Sequence, residues 1–94
     1  MNKPSVSFKE IKEEMLQNEE FRLEYDKLQP RYDVITQLIT VRKEQNMTQA
    51  ELAKRVGTQR SNISRLESGN YNPSLDFLIK VAASLGKSVR IQIY

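Results

Sequence analysis

The sequence of 94 residues contains no cysteine and no histidine. This excludes disulfide bonds, thiolate nucleophiles and Cys/His metal sites, as well as any catalytic dyad or triad that needs an imidazole. Metal sites made only of carboxylates are the remaining type, and the spacing of the acidic residues indicates none. Since no acid, base and nucleophile can be assembled, we expect a protein that is not an enzyme and needs no cofactor.

Long hydrophobic runs are also missing. No apolar stretch approaches the roughly 18 residues of a membrane span, and the polar N-terminus lacks the apolar region of a secretory signal. We therefore expect a cytoplasmic protein with no membrane partner and no small-molecule ligand. Hydrophobic residues make up 38% of the chain, which is enough for one modest core but not for a second.

Positive charge is unevenly distributed along the chain, whose net charge is +3. Residues 1–30 hold five basic and seven acidic side chains, whereas residues 31–94 hold ten basic and five acidic ones. A basic segment of this kind is typical of a surface that binds a phosphate backbone.

Residues 48–69 predict two short helices joined by a tight turn. Thr48 and Glu51 have the spacing of a capping box, so the first helix should begin at Gln49, and Gly57 should end it. The facing apolar residues of the two helices are Leu52, Ala53, Val56, Ile63 and Leu66. This pattern predicts a helix-turn-helix.

The second of these helices is predicted to begin at a Thr58 cap and to close at Gly69. Its outward residues are polar or cationic and include no large apolar side chain. Such a face suits hydrogen bonding to base edges better than burial in a core. The turn-rich loop 70–73 should close over the end of this helix, where it can touch a phosphate.

Two helices are predicted before this motif, at about residues 8–17 and 19–28, the second capped by Asn18. They either fold back over the domain or dock a partner protein, and their acidic balance favours a basic partner. Pro30 is either the first residue of a third helix or a kink in one long helix from 19 to 46.

The helix that precedes the motif should be its scaffold. Its predicted inward residues are Ile35, Leu38, Ile39 and Arg42, and Asn46 with Met47 should end it. An inward arginine needs an acidic partner, and the best candidate is Glu67. We therefore expect a buried Arg42–Glu67 pair, with solvated surface charges as the alternative.

A further helix is predicted after the loop, capped by Ser74 and ended by Gly86. Its predicted apolar face comprises Leu75, Leu78, Ile79, Ala82 and Leu85. Residues 87–94 then change to strand periodicity, since Val89, Ile91 and Ile93 alternate with polar residues or Tyr94. A single strand must pair with a second copy of the chain or with the sheet edge of a partner, unless it is a frayed tail.

A family resemblance covers roughly residues 20–94. The matching segments are EFRLEY at 20–25, the proline at 30, LITVRKEQNMTQAELAKRVGT at 38–58, ISRLESG at 63–69, NPSL at 72–75 and LGKSVRIQI at 85–93. The motif at 49–69 resembles that of Xre/Cro-type repressors, and the whole set is similar to HigA-type antitoxins.

The resemblance implies a mainly α fold with five to six helices, an N-terminal helical extension over 1–30, a DNA-binding domain over 31–86 and a dimerisation strand over 87–94. It implies a homodimer that binds an inverted-repeat operator in double-stranded DNA and neutralises a HigB/RelE-like toxin that cuts messenger RNA. The alternatives are a stand-alone regulator without a toxin and an interaction module that has lost DNA binding.

The candidate site residues fall into five groups. The base or groove contacts are Gln59, Arg60, Ser61, Asn62 and Arg65. The phosphate contacts are Gln49, Thr58, Ser64, Asn70 and Tyr71. The internal ion pair is Arg42 with Glu67. The candidates for toxin binding are Phe8, Ile11, Met15, Phe21 and Tyr25. The candidates for dimerisation are Val89, Ile91 and Ile93.

The sequence departs from the family at two of these positions. The family often has a serine or threonine cap at 59 and a glutamine at 60, where this chain has Gln59 and Arg60. Since arginine pairs bidentately with guanine whereas glutamine suits adenine, Arg60 should change the base that is read. A phosphate clamp is the alternative role for Arg60.

Overall fold

A computed structural model of the chain describes Glu13 and residues 17–94. That part contains four α-helices, which are α1 Glu19–Glu44, α2 Gln49–Val56, α3 Arg60–Ser68 and α4 Leu75–Ser84. Nearly all of the predicted helix at 8–17 lies outside the described residues. The chain divides into two compact units, Met1–Pro30 and Arg31–Tyr94. No helix in the described part is both long and apolar enough to cross a membrane.

Helix α1 runs unbroken through Pro30, which decides between the two alternatives left open by the sequence. Its start is capped as predicted, because the side-chain Oδ1 of Asn18 accepts a hydrogen bond of 3.0 Å from the backbone N–H of Phe21. Glu19 and Glu20 occupy the first turn, where carboxylates favour the positive end of the helix dipole.

The end of α1 is a Schellman turn in which Asn46 adopts a left-handed conformation with φ 55°. The N–H of Asn46 donates to the carbonyl of Lys43, and the N–H of Met47 donates to the carbonyl of Arg42. Asparagine tolerates this conformation better than most residues. The turn directs Met47 into the core, where it is buried.

Helix α2 has the predicted capping box. The Thr48 hydroxyl accepts from the N–H of Glu51 at 3.0 Å, and the Glu51 carboxylate accepts from the N–H of Thr48 at 2.8 Å. Gly57 ends the helix at φ 84°, and the next N–H, that of Thr58, donates back to the carbonyl of Ala53. A positive φ here strains any residue with a side chain, so glycine suits this turn.

Helix α3 begins one residue later than a Thr58 cap would give. Thr58 is not its cap, since the N-cap is Gln59 and makes no side-chain cap bond. The Thr58 hydroxyl instead accepts from Asn62 Nδ2 at 2.7 Å. The backbone places position 59 where a serine or threonine would cap, and the longer glutamine does not bond there. The predicted end is confirmed, since Gly69 adopts φ 80°.

One hydrophobic core unites the second half of α1 with α2, α3 and α4. Its buried members are Ile35, Leu38, Met47, Leu52, Ala53, Val56, Ile63, Leu66, Val81, Ala82 and Leu85. The predicted inward residues of α2 and α3 are confirmed. These short helices therefore depend on mutual packing, because isolated helices below roughly 12–15 residues are marginal in water.

The predicted apolar face of α4 was partly wrong. Leu75 and Ile79 are 48% and 46% exposed, whereas Val81, which was not predicted, is fully buried. The buried stripe passes through Leu78, Val81, Ala82 and Leu85, at the i, i+3, i+4 and i+7 spacing of one helical face. An apolar helix offers several such stripes, and its neighbours decide which one is covered.

Both ends of α4 are satisfied by hydrogen bonds. Ser74 caps its start, as predicted, by accepting from the N–H of Phe77 at 3.1 Å. At its other end Gly86 takes φ 74°, and the Nε2 of Gln45 donates to the carbonyl of Leu85 at 2.8 Å. The turn after α1 is thereby joined to the end of α4.

Residues 87–94 form no strand in the part of the chain that is described. A strand that pairs across a dimer has no partner within one chain, so the predicted pairing stays a prediction. Val89 packs against the core of its own chain, whereas Ile91 and Ile93 are exposed.

A buried ion pair joins α1 to α3. The Arg42 guanidinium donates from Nε to Glu67 Oε2 at 2.7 Å and from Nη2 to Glu67 Oε1 at 2.8 Å. Its Nη1 donates to the carbonyl of Met47 at 2.7 Å. The two side chains are 10% and 8% exposed. The predicted Arg42–Glu67 pair is confirmed, and its guanidinium also satisfies the turn after α1.

Removing one partner of this pair should lower the free energy of unfolding far more than replacing both partners. Arg42→Met should lower the free energy of unfolding by about 3–5 kcal/mol, because the Glu67 carboxylate is left buried without its cation. The double variant Arg42→Met/Glu67→Met should recover most of that loss. Urea denaturation measures both, and a double variant as unstable as Arg42→Met would contradict this expectation.

The capping box should make the free energy of unfolding depend on pH in the acidic range. The backbone N–H of Thr48, together with its hydroxyl, holds the pKa of Glu51 below its ordinary value of 4.5. Below 4.5 the unfolded chain binds this proton before the folded chain does, so the contribution is complete above that pH and is lost as pH falls through the lowered folded pKa.

Glu51→Gln keeps the acceptor oxygen of the capping box but cannot titrate. The stability difference between the natural chain and Glu51→Gln should therefore shrink as pH falls from about 6 to about 3. Thermal melts of both proteins across that range would test this, and a constant difference would show that the carboxylate is not involved.

Candidate DNA-binding surface

The outward face of α3 is polar and positively charged. Ile63 and Leu66 anchor the helix in the core, and the exposed residues Arg60, Ser61, Ser64 and Arg65 fall on the other side. Their i, i+1, i+4 and i+5 spacing places them along one face. An α-helix fits the major groove of B-DNA, so four of the predicted contact residues lie together on a face of suitable shape and charge.

Of the two arginines on this face, Arg60 is the more available to a ligand. Its side chain forms no hydrogen bond or ion pair with any other residue in the described part of the chain, and it is exposed. Arg65 is more constrained, since its Nη1 lies 3.5 Å from Asn62 Oδ1. The two guanidinium groups each offer the planar fork that pairs with O6 and N7 of guanine.

Asn62 is partly buried and bonded to the turn before its helix. One N–H of its Nδ2 is used by the Thr58 hydroxyl, and its Oδ1 faces Arg65. Bidentate reading of adenine would require both the oxygen and an N–H of Asn62. The Thr58 hydroxyl accepts this bond and keeps its own proton, which it can donate to a phosphate oxygen.

Gln49, at the start of α2, is bonded across the motif. Its Nε2 donates to Glu67 Oε1 at 3.0 Å, the same oxygen that accepts from Arg42 Nη2. Only Arg42 was predicted as a partner of Glu67, so this contact is an addition to the prediction. The i to i+18 separation of the two residues leaves no local pattern from which it could have been found.

The loop after α3 is held by Ser68, which was also not among the predicted site residues. Its hydroxyl donates to the carbonyl of Arg65 at 2.7 Å and accepts from the N–H of Asn70 at 3.2 Å. The side chain of Asn70 is exposed and Tyr71 is partly buried. Ser68 thus fixes the path of the chain on which both predicted phosphate contacts lie.

The remaining candidates lie away from α3 in the sequence. Phe8, Ile11 and Met15 lie outside the described residues. Phe21 and Tyr25 are neighbours on α1, with ring centroids 6.1 Å apart. Among the residues that are described, no group of three acidic side chains could hold a metal ion.

The chain is similar to known helix-turn-helix proteins. The family model described as Helix-turn-helix matches residues 38–92, more than half of the chain. An uncharacterized HTH-type transcriptional regulator of Haemophilus influenzae is 33% identical over 97% of this chain and 92% of its own length. Another uncharacterized HTH-type regulator, from Archaeoglobus fulgidus, is 53% identical over 47 residues, which are 50% of this chain and 66% of that protein.

A solved structure is similar along nearly the whole chain. It is described as a toxin-antitoxin module from Streptococcus pneumoniae, with 32% identity, a TM-score of 0.59, and coverage of 99% of this chain and 98% of that one. The matched family segment contains the helix pair, the ion pair and the polar face described above. The chain therefore belongs to the Xre/Cro-type helix-turn-helix family of DNA-binding transcriptional regulators.

Proposed function

We propose that this regulator is a sequence-specific repressor that inserts α3 into the major groove of its operator. The observation that carries the proposal is the exposed Arg60, unpaired within the described residues, at the leading end of a helix whose opposite side is locked into the core by Ile63 and Leu66. A rigid helix that presents a free guanidinium can distinguish guanine from other bases.

The neighbouring candidates take two roles in this proposal. Gln59, Ser61, Asn62 and Arg65 lie along the groove with Arg60, while the phosphate contacts come from Gln49, Thr58, Ser64, Asn70 and Tyr71. Base contacts specify the sequence, and phosphate contacts fix the position of the protein on the duplex. Two copies related by a dyad would place their α3 helices about 34 Å apart, so the operator should be an inverted repeat.

We further propose that the chain is an antitoxin of the HigA type. Support comes from the full-length similarity to a chain of a toxin-antitoxin module and from the acidic balance of residues 1–30. A HigB/RelE-like ribonuclease that must bind messenger RNA would carry a basic surface, and an acidic segment complements it. Phe21 and Tyr25 would supply apolar contact area at the centre of that interface.

Dimerisation is assigned to residues 87–94 in this proposal. Ile91 and Ile93 are 60% and 92% exposed, as expected of side chains that become covered only in a dimer. Val89 packs on its own core and would anchor the segment. Two antiparallel copies could then satisfy the backbone groups that one copy leaves to solvent.

The role of Arg60 can be tested on a duplex that the natural protein selects from a random pool. Arg60→Ala should cost about 1–3 kcal/mol of binding free energy on the selected duplex and relax the preference at one base pair. Arg60→Lys is the matched control, because it keeps the charge but loses the planar fork. It should retain binding to random duplex and lose the base preference. Equal losses on selected and random DNA for Arg60→Ala would assign it to a phosphate instead.

The antitoxin role can be tested by co-expression with a HigB/RelE-like toxin from a neighbouring reading frame. Phe21→Ala/Tyr25→Ala should weaken toxin capture at least tenfold, since aromatic anchors carry much of the free energy of an interface. Leu23→Ala is the control, because Leu23 is 52% exposed and points to the opposite side of α1.

Operator binding should be unchanged in both of these variants. Toxin capture by Phe21→Ala/Tyr25→Ala at the natural level would exclude docking through this face. A natural protein that binds its selected duplex and captures no toxin would be a stand-alone regulator.

A further inference from the structure

The Glu67 carboxylate does more than pair with Arg42. Its Oε1 accepts from two different elements, at 2.8 Å from Arg42 Nη2 on α1 and at 3.0 Å from Gln49 Nε2 on α2. Arg42 already supplies two donors to this carboxylate, so the bond from Gln49 is additional to the ion pair. This bond restrains the side chain of Gln49, because its carboxamide is held by a carboxylate that Arg42 already holds in place.

The bond determines which way the Gln49 carboxamide is turned. A carboxylate only accepts hydrogen bonds, so the NH₂ group of Gln49 must face Glu67. One N–H is used, and the second remains on the same nitrogen for another acceptor. Phosphate oxygens in DNA are also acceptors only, so that second N–H is the atom with which the side chain can bind a phosphate. A carboxamide that rotated freely would also present its oxygen, which repels phosphate.

The charge of Glu67 would oppose this contact if it were not neutralised. Arg42 forms a bidentate pair with it, at 2.7 and 2.8 Å, and both side chains are about nine-tenths buried. The Arg42–Glu67 pair behind Gln49 therefore offers a rigid acceptor oxygen and carries little net charge. A phosphate can approach the second N–H without meeting an unpaired carboxylate.

We propose that Glu67 is a positioning residue for DNA binding, which orients Gln49 so that its free N–H contacts a backbone phosphate of duplex DNA. This inference rests on the proposed function only in that α2 begins beside the DNA backbone. It links the buried ion pair of the fold to affinity for DNA, since the same oxygen serves both. Glu67 itself does not touch the DNA.

The first test compares Gln49→Met with Glu67→Gln on the duplex selected from a random pool and on a random duplex of equal length. Each variant should weaken binding roughly 10- to 100-fold on both duplexes, because a hydrogen bond to a charged group is lost but no base is read through it. The double variant should be no worse than the single ones, since both remove the same contact. Additive losses would overturn the proposal.

Ethylation interference on the selected duplex separates positioning from general stability. Gln49→Met and Glu67→Gln should lose sensitivity at the same phosphate in each half-site and keep the rest of the pattern. Val81→Ala is the control, since Val81 is fully buried and lies outside this network. It should destabilise the fold and leave the pattern complete. Uniform weakening of every phosphate by Glu67→Gln, as in a merely structural role, would contradict the proposal.

A measurement on the natural protein alone does not depend on the folding of any variant or on DNA binding. In ¹⁵N NMR relaxation, the side-chain amide of Gln49 should be as ordered as the backbone, with an order parameter of about 0.85. A value below about 0.6, as for a mobile exposed glutamine, would overturn the proposal. If instead the natural protein selects no duplex while Gln49 is ordered, the proposed DNA-binding function fails and the hydrogen bond stands.

Discussion

The Arg42–Glu67 ion pair is the constraint on which the geometry of the motif depends. It joins the last turn of α1 to the last turn of α3, and its remaining donor satisfies the carbonyl of Met47 at the turn into α2. One guanidinium therefore ties together three segments that are otherwise held mainly by non-directional apolar packing, with the Gln49–Glu67 hydrogen bond beside it. Hydrophobic contacts tolerate small rotations of a helix, whereas a buried bidentate pair with short bonds does not. The angle of α3 against its scaffold is set by that difference.

A second constraint comes from the turns. α1, α2 and α4 each end with a residue at positive φ, namely Asn46, Gly57 and Gly86, followed by an N–H that donates back into the last helical turn. These closures satisfy carbonyls that water would otherwise have to solvate, and they stop each helix within two or three residues. Short turns leave little freedom for α2 and α3 to separate. The short helices α2 and α3 therefore stay close together, and they remain stable because they share one core with α1 and α4.

Much of this arrangement could be predicted from local chemistry. Capping by Asn18, Thr48 and Ser74, the stops at Gly57 and Gly69, and the facing residues Ala53 and Ile63 all follow from patterns within a few positions. The Arg42–Glu67 pair was also predictable, because an inward cation requires an anion and few were placed to supply it. These features depend on rules that act locally or on charge, which a sequence displays directly.

The features that were predicted wrongly or not predicted are of a different kind. The start of α3 was misplaced because two adjacent residues, Thr58 and Gln59, compete for one cap, and the backbone rather than the side chain chose between them. Burial of Val81 in place of Ile79 depended on how α4 is rotated, which only the neighbouring helices determine. The Gln49–Glu67 bond joins residues 18 positions apart and has no periodic signature. Each of these features is fixed by tertiary contacts, so no local pattern could contain it.

The same contrast separates the two halves of the proposed DNA-binding surface. Gln49 is held by a buried carboxylate, whereas Arg60 follows an uncapped helix start and has no partner in the described residues. A preorganised donor loses little conformational entropy when a phosphate arrives, while a free arginine must be ordered at a cost of up to about 2 kcal/mol. Contacts to the backbone would therefore form on any duplex. The contacts of Arg60 would form only at a guanine, where the binding free energy offsets the entropy cost of ordering the side chain. Selectivity in the proposed complex thus arises because the residue that reads the base, Arg60, is not fixed in advance, whereas the phosphate contact of Gln49 is.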